Sequence, residues 1–177
     1  MSFARVRALV VIGGLVMFAL VFVIVAMVRD SQGGEATATT CPDGWALADV
    51  QLREAKDVRL NVYNATDTSG LATNIADDLS NRNFQIEEAA NDPEGRRIDD
   101  VAVLRYGPEA VGSAHLMRAY FLDQARTEYD PAREDDIVDV VIGNAFRQLA
   151  TTTEVNQSLA ALGKPVLPPQ TCAAPED

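Results

Sequence analysis

The sequence has few of the side chains that enzymes use as nucleophiles, bases and metal ligands. Its 177 residues include one histidine, His115, and two cysteines, Cys41 and Cys172. A hydrolase triad needs a base beside its nucleophile, and no Gly-x-Ser-x-Gly turn accompanies His115. Zinc ligands are too few, and there is no Gly-x-x-x-x-Gly-Lys phosphate loop. We therefore expect no catalytic residue, no metal site and no cofactor, and we interpret His115 as structural.

Basic residues are scarce beyond the first 29 positions. After Arg29, twelve basic residues stand against all twenty-six acidic ones, which gives this part of the chain a net charge of −14. Such a domain is repelled by nucleic acid and by anionic lipid head groups, and no dense cluster of lysine and arginine offsets the repulsion. Nucleic acid is therefore excluded as a partner.

The longest stretch without a charge covers residues 8–28 and follows Arg5 and Arg7. As a helix it would measure roughly 30 Å, the thickness of the hydrocarbon core of a bilayer. It predicts a retained transmembrane anchor, and residues 1–7 would stay in the cytoplasm because the arginines favour that side. A cleaved signal peptide is the alternative, although no Ala-x-Ala site precedes Arg29 and Asp30. We expect a single-pass cell-membrane protein.

The two cysteines fit an extracytoplasmic domain at residues 41–177. Residues 29–40 are mostly small and polar, as in a flexible tether. Cys41 follows this tether and Cys172 lies near the C-terminus, and in an oxidising compartment such a lone pair predicts one disulfide. Trp45 is expected to pack on the domain that the disulfide closes, and residues 46–56 have no clear period.

Hydrophobic periodicity predicts an α/β fold with a mixed four-stranded sheet and packed helices. The order is strand, helix, strand, strand, helix, strand, helix. A capping box at Thr151 and Glu154 begins the last helix. The predicted strands cover residues 58–63, 84–86, 101–106 and 137–142, and the predicted helices cover residues 71–79, 109–122 and 152–162.

Polar residues follow three of these strands and predict a ligand-binding crevice. If the first, third and fourth strands run parallel, their carboxyl ends converge beside the amino end of the first helix. Simple capping and turn chemistry is the alternative interpretation. The candidate ligand-binding residues are Asn64, Thr66, Ser69, Gly70, Tyr106, Gly143 and Asn144.

Neighbouring carboxylates raise the question of a glycan-cleaving or calcium site. The pairs are Glu87 with Glu88 and Asp99 with Asp100, and a larger group joins residues 134–136 to Asp139. A calcium loop also needs a glycine and alternating ligands, which are absent. We interpret these acids as solvated faces of strands and loops, and regard an envelope hydrolase as the weaker hypothesis.

The segments that form the predicted sheet resemble the LytR C-terminal domain family of actinobacterial and other Gram-positive envelope proteins. The resemblance rests on residues 58–64 leading into 69–72, on 79–84, on 104–106 and on 138–143, and covers residues 58–146. The family usually has Asn-Gly after the first strand, where this chain has Asn64 and Ala65. Many members carry a LytR–CpsA–Psr catalytic domain that attaches glycopolymers to peptidoglycan. The sequence leaves no room for it, so transferase activity is not inferred.

The resemblance implies a membrane-anchored accessory domain that supports cell-envelope integrity. Two functions remain open from the sequence. The domain binds a cell-wall glycan or a lipid-linked precursor through the predicted crevice. Alternatively, it is an interaction scaffold that recruits or regulates envelope-assembly enzymes or associates with itself.

Overall fold

The computed structural model describes residues 13–21 and 41–175, and the chain divides into two compact units at residues 1–40 and 41–177. In the first unit, residues 13–21 are helical. The predicted cytoplasmic N-terminus (1–7) and tether (29–40) lie outside the described residues, as do positions 8–12 and 22–28 of the predicted anchor. Among the residues described, no helix is long and apolar enough to cross a membrane.

In the second unit, residues 41–175 form seven strands and three α-helices. Short 3-10 turns at Ala55–Asp57 and Pro108–Ala110 precede β2 and α2. In chain order the elements are β1 (Ala46–Ala48), β2 (Arg59–Asn64), α1 (Leu71–Asn81), β3 (Gln85–Asn91), β4 (Ala102–Tyr106), α2 (Val111–Tyr120), β5 (Arg126–Tyr129), β6 (Ile137–Ile142), α3 (Thr152–Leu162) and β7 (Thr171–Ala173). The predicted capping box at Thr151 and Glu154 is confirmed, since each side chain satisfies a backbone N–H of the other residue.

Five strands form one mixed sheet in the order β3-β2-β6-β4-β5. The α/β class and the mixed sheet are confirmed, whereas the predicted number of four strands is wrong. The missed strand, β5, reads Arg-Thr-Glu-Tyr and has no alternation of apolar and polar residues. It lies at the sheet edge and pairs only with β4, so it needs no apolar face.

The direction of β4 corrects a second expectation. β2 runs parallel to β3 and β6, but β4 is antiparallel to β6, with Ala102 opposite Ile142 and Arg105 opposite Asp139. Of the three strands that were expected to run parallel, only the first and fourth therefore end at the same edge of the sheet. The predicted third strand, β4, begins there and ends at the opposite edge.

The helices cover one face of the sheet. α1 and α2 pack on strand residues that are completely buried, including Leu60, Leu104 and Val140, and α3 packs on α2. On the other face, a smaller apolar cluster joins Tyr63 and Val103 to Ile98, which comes from the loop after β3. Polar and charged side chains, including Asn61 and Asp139, lie on the same face.

The two ends of the second unit are joined. Cys41 and Cys172 form the predicted disulfide, which closes a separation of 131 residues. Beside it, β1 and β7 pair in parallel as a separate two-stranded sheet, which supplies structure to part of the segment that showed no period. Trp45 precedes β1 and remains 44% exposed, so it is only partly packed on the domain.

Candidate functional site

A polar cleft of about 290 Å³ opens at the carboxyl ends of β2 and β3, beside the amino end of α1. Three of the seven predicted ligand-binding residues, Asn64, Thr66 and Ser69, contribute to its lining, and Gly70 is the next residue along the chain. The complete lining is Asn64, Thr66, Asp67, Thr68, Ser69, Asn91, Asp92, Gly95 and Arg97. Its size is that of a small ligand site, and its surface is made of hydroxyl, amide and charged groups.

One wall of the cleft is the turn between β2 and α1, and its buried polar groups bind one another. The Asn64 side chain accepts from the Thr66 N–H and hydroxyl at 2.9 and 2.8 Å, and donates to the Thr68 carbonyl at 2.8 Å. The Thr66 hydroxyl also accepts from the Thr68 N–H at 3.0 Å. Asn64 and Thr66 are only 4% and 5% exposed, and their polar groups are bound within the turn. Their role is therefore to hold the shape of this wall.

The groups that face solvent on this wall come next in the chain. Thr68, Ser69 and Gly70 are exposed. Gly70 has φ +74° at the N-cap position of α1, a conformation that glycine adopts without strain, and no side chain caps the helix there. The cleft therefore presents two hydroxyl groups beside a helix end.

The opposite wall is the loop after β3, and it is fixed by a buried ion pair. The Asp92 side chain is 1% exposed and accepts from Arg105 Nη1 and Nη2 at 2.7 and 3.3 Å. Burial alone would raise the pKa of Asp92, but the hydrogen bonds and charge of Arg105 hold that pKa below its ordinary value. The Asp92 carboxylate therefore stays ionised and matched by a cation.

An exposed ion pair connects the two walls. Arg97 Nε donates to Asp67 Oδ1 at 2.8 Å, and both side chains are largely in solvent. The contribution of such a pair to stability is small, so both groups are free to exchange this contact for one with a ligand.

Tyr106 does not belong to the cleft. It ends β4, which runs antiparallel to β6, and so it lies at the opposite edge of the sheet. There its ring packs against Tyr129 with 5.8 Å between centroids. The prediction that Tyr106 joins the crevice depended on a parallel third strand and is wrong on geometric grounds.

Gly143 and Asn144 follow β6 at the cleft edge of the sheet, but a loop closes over them. A Cβ at Gly143 would lie 2.2 Å from the Asp100 carbonyl oxygen, so only glycine allows this approach. Asn144 donates its N–H to the Ile98 carbonyl and its side-chain N–H to Asp99 at 3.3 Å. Neither residue lines the cleft, and both serve loop packing.

Sequence reasoning missed the second wall. The candidate residues named from the sequence include none of Asn91, Asp92, Gly95 and Arg97. The available signal was their position after β3, because strands that run parallel to β2 end at the same edge. The short predicted strand at 84–86 hid this relation, since β3 continues to Asn91.

The other candidate residues have structural partners. His115 is 4% exposed, and its Nε2 lies 3.0 Å from the Gly163 carbonyl at the end of α3. In the acidic group, Asp136 pairs with Arg59 and Asp139 with Arg133. Within residues 13–21 and 41–175, no group of three histidine, cysteine or acidic side chains is arranged to hold a metal ion.

Comparisons with known proteins agree with the resemblance found in the sequence. A family model described as LytR cell envelope-related transcriptional attenuator matches residues 57–146. Cell envelope integrity protein Cei of Mycobacterium tuberculosis is 31% identical over 118 residues, which make up 66% of this chain and 54% of that protein. The chain therefore spans about half the length of this curated relative.

A solved structure shares the fold. The crystal structure of the soluble domain of a conserved hypothetical secreted protein from Mycobacterium marinum aligns with a TM-score of 0.53 and 28% identity. The alignment covers 64% of this chain and 77% of that one. Both similar proteins come from mycobacteria.

Proposed function

Because the chain belongs to the LytR C-terminal domain family, we propose that it is a non-enzymatic protein that supports the integrity of the cell envelope. Its domain at residues 41–177 works outside the cytoplasm, held to the membrane by a helix at residues 8–28. Export is supported by the disulfide between Cys41 and Cys172, which persists in an oxidising compartment. A relative named for cell envelope integrity supports the role.

The molecular activity is binding of a cell-wall glycan or a lipid-linked precursor in the cleft between the two loops. The observation that carries this proposal is the polar lining, with exposed hydroxyls at Thr68 and Ser69 and an exposed Arg97–Asp67 pair. Sugar hydroxyls donate and accept hydrogen bonds, and these groups offer both. The −14 charge beyond Arg29 disfavours a polyanionic ligand and favours a glycan of low charge.

Co-sedimentation of the full chain, in neutral detergent, with insoluble cell wall from its own host tests this proposal. We expect saturable binding that disappears when the wall is digested. Arg97→Ala should weaken it, because Arg97 lines the cleft without holding the loop, and the exposed Arg147→Ala serves as the charge-matched control. Equal binding by both variants would remove the cleft as the site.

Asn64→Ala is a poor test of binding. Its side chain makes three hydrogen bonds that shape the turn, so the variant would lose the wall of the cleft together with any ligand contact. Thr68→Ala and Ser69→Ala remove exposed hydroxyls instead, and their effects on binding are easier to interpret.

The alternative function is a scaffold that binds envelope-assembly proteins. The specific observation in its favour is the edge of the sheet at β3, a seven-residue strand that, among the residues described, pairs only with β2. Cross-linking in cells that recovers glycan and no protein would count against this alternative.

A further inference from the structure

The two edges of the five-stranded sheet are protected to different degrees. β5 has four residues, and its long side chains are engaged, with Arg126 bound to Asp100 at 3.1 Å and to Glu128 at 2.8 Å. β3 has seven residues and includes Ala89 and Ala90 in succession. Short strands with charged side chains block pairing with another chain, so β3 is the more accessible edge.

The hydrogen-bond pattern shows which groups of β3 face outward. Asp92 donates its N–H to the Asn64 carbonyl of β2, and the backbone groups of successive strand residues point to opposite sides. Counting back from Asp92, the N–H and C=O of Ala90 face β2, and those of Ala89 and Asn91 face away from it. Within residues 41–175, no further strand pairs with this side of β3.

The accessible part of the edge is the segment from Glu88 to Asn91. The register with β2 passes from Leu60–Ile86 to Asn61–Glu88, which places an extra residue at Glu87 and interrupts the edge there. Beyond this bulge, Glu88, Ala89 and Asn91 are exposed, and residues 88–91 include no large apolar side chain. A polypeptide backbone has room to approach this segment.

The acidic charge near this edge indicates which kind of polypeptide would bind there. Glu87 and Glu88 are exposed on β3. Glu87 pairs with Arg59 at 2.9 Å, and Glu88 accepts from the Tyr63 hydroxyl at 2.8 Å. The part of the chain after Arg29 carries a charge of −14. A second copy of this acidic chain would bring like charges together across the new strand pair, which is destabilising. An extended segment with lysine or arginine would place opposite charges there.

We propose that the β3 edge between Glu88 and Asn91 binds an extended, basic segment of another protein by strand addition. The outward N–H and C=O groups of Ala89 and Asn91 supply the main-chain hydrogen bonds, and the acidic side chains select a basic sequence. This inference gives a place and a partner chemistry to the scaffold alternative, and it does not depend on ligand binding in the cleft.

The test titrates the full chain, in neutral detergent, with an end-blocked hexapeptide of alternating lysine and valine. Amide hydrogen exchange is followed residue by residue. We expect saturable binding that slows exchange at Ala89 and Asn91, and no binding of the matching glutamate–valine peptide. The same basic peptide with alternate backbone nitrogens methylated keeps its charge but lacks one row of donors, so its affinity should fall at least about tenfold.

A pair of variants at one position provides the matched control. Ala89→Pro removes the outward donor and leaves the bonds to β2, so it should also weaken peptide affinity at least about tenfold, whereas Ala89→Val should bind as the unmodified chain does. Binding that leaves exchange at Ala89 and Asn91 unchanged, or equal affinity for the methylated peptide, overturns the proposal. Should Ala89→Pro fail to fold, the methylated peptide still decides. Co-sedimentation with cell wall in the presence of saturating peptide tests glycan binding in the cleft separately from peptide binding at β3.

Discussion

The two faces of the five-stranded sheet are formed by alternating residues of the same strands, but different interactions hold them. On the helix-covered face, Leu60, Val138 and Leu104 are completely buried, and the contacts are apolar. On the opposite face, the residues paired across β2, β6, β4 and β5 are Asn61, Asp139, Arg105 and Glu128. One row of the sheet therefore carries a chain of polar and charged neighbours.

The polar face is held by reciprocal contacts that cross between strands and loops. Asp139 accepts from Asn61 on β2 at 2.8 Å and from Arg133 in the β5–β6 loop at 2.6 Å. Arg105 joins Glu128 on β5 to Asp92 in the loop after β3. The apolar face supplies stability, whereas the charged face positions the loops, including the cleft wall that contains Asp92.

The largest loss of stability should come from the helix-covered face. Leu104→Ala removes a side chain that is completely buried beneath the helices. We expect the free energy of unfolding to fall by about 3–4 kcal/mol, because the lost apolar contacts leave a cavity. Chemical denaturation measures this loss, and we expect the dependence of the free energy of unfolding on denaturant concentration to keep the same slope. If Leu104→Ala lost less stability than Arg105→Met, the charged face would contribute more to stability than the helix-covered face.

Removal of Arg105 should have the next largest effect. Arg105→Met keeps the aliphatic length but leaves the Asp92 carboxylate, 1% exposed, without its cation. We expect a loss of about 2–3 kcal/mol at neutral pH, since an unpaired buried charge is more costly than the missing bond alone. Asp92→Asn combined with Arg105→Met should recover part of this loss, because the amide is neutral.

The pH dependence of the Arg105→Met effect checks its cause. The pKa of Asp92 is lower in the folded chain than its ordinary value, so its ionised form stabilises the fold above an unfolded pKa of about 3.9. This contribution disappears as the pH falls through the folded pKa. In Arg105→Met, burial without the cation raises the pKa of Asp92. The difference between the wild-type chain and the variant should therefore begin to narrow above about pH 4 and continue to narrow as the pH falls to the lowered pKa of the wild-type chain. A constant difference from pH 7 to pH 3 would mean that the loss is one of packing.

The regular elements of the helix-covered face were largely predictable, and their periodicity explains why. β6 was predicted at its observed bounds, because five of its six residues are apolar, and the Thr151 capping box fixed the start of α3. Strand direction was not predictable in this way. Alternation specifies which face of β4 is buried, and it is the same whether the strand runs parallel or antiparallel.

Only one wall of the candidate site was predictable from the sequence, because local patterns identify turns but do not show which strands are neighbours. The turn after β2 could be found because Asn64 and Thr66 are typical turn residues at the end of a clear strand. The loop after β3 could not, because its essential contact joins Asp92 to Arg105, two residues on different elements whose pairing depends on the order of strands. Gly143 lies outside the cleft, and the need for glycine there comes from the approach of the Asp100 carbonyl, which the local sequence does not reveal.

The smallest effect should come from the exposed end of the charged face. Arg59 binds Glu87 at 2.9 Å and Asp136 at 2.9 Å, but its side chain is 38% exposed. Arg59→Ala should change the free energy of unfolding much less than Arg105→Met does, because water and salt screen these pairs. Denaturation at low and high salt measures this effect, and the difference in free energy of unfolding between the wild-type chain and Arg59→Ala should become smaller as salt is added. A loss as large as that of Arg105→Met would mean that the face acts as one coupled network. A much smaller loss for Arg59→Ala than for Arg105→Met would instead mean that the charged face contributes to stability mainly through the buried Arg105–Asp92 pair beside the cleft.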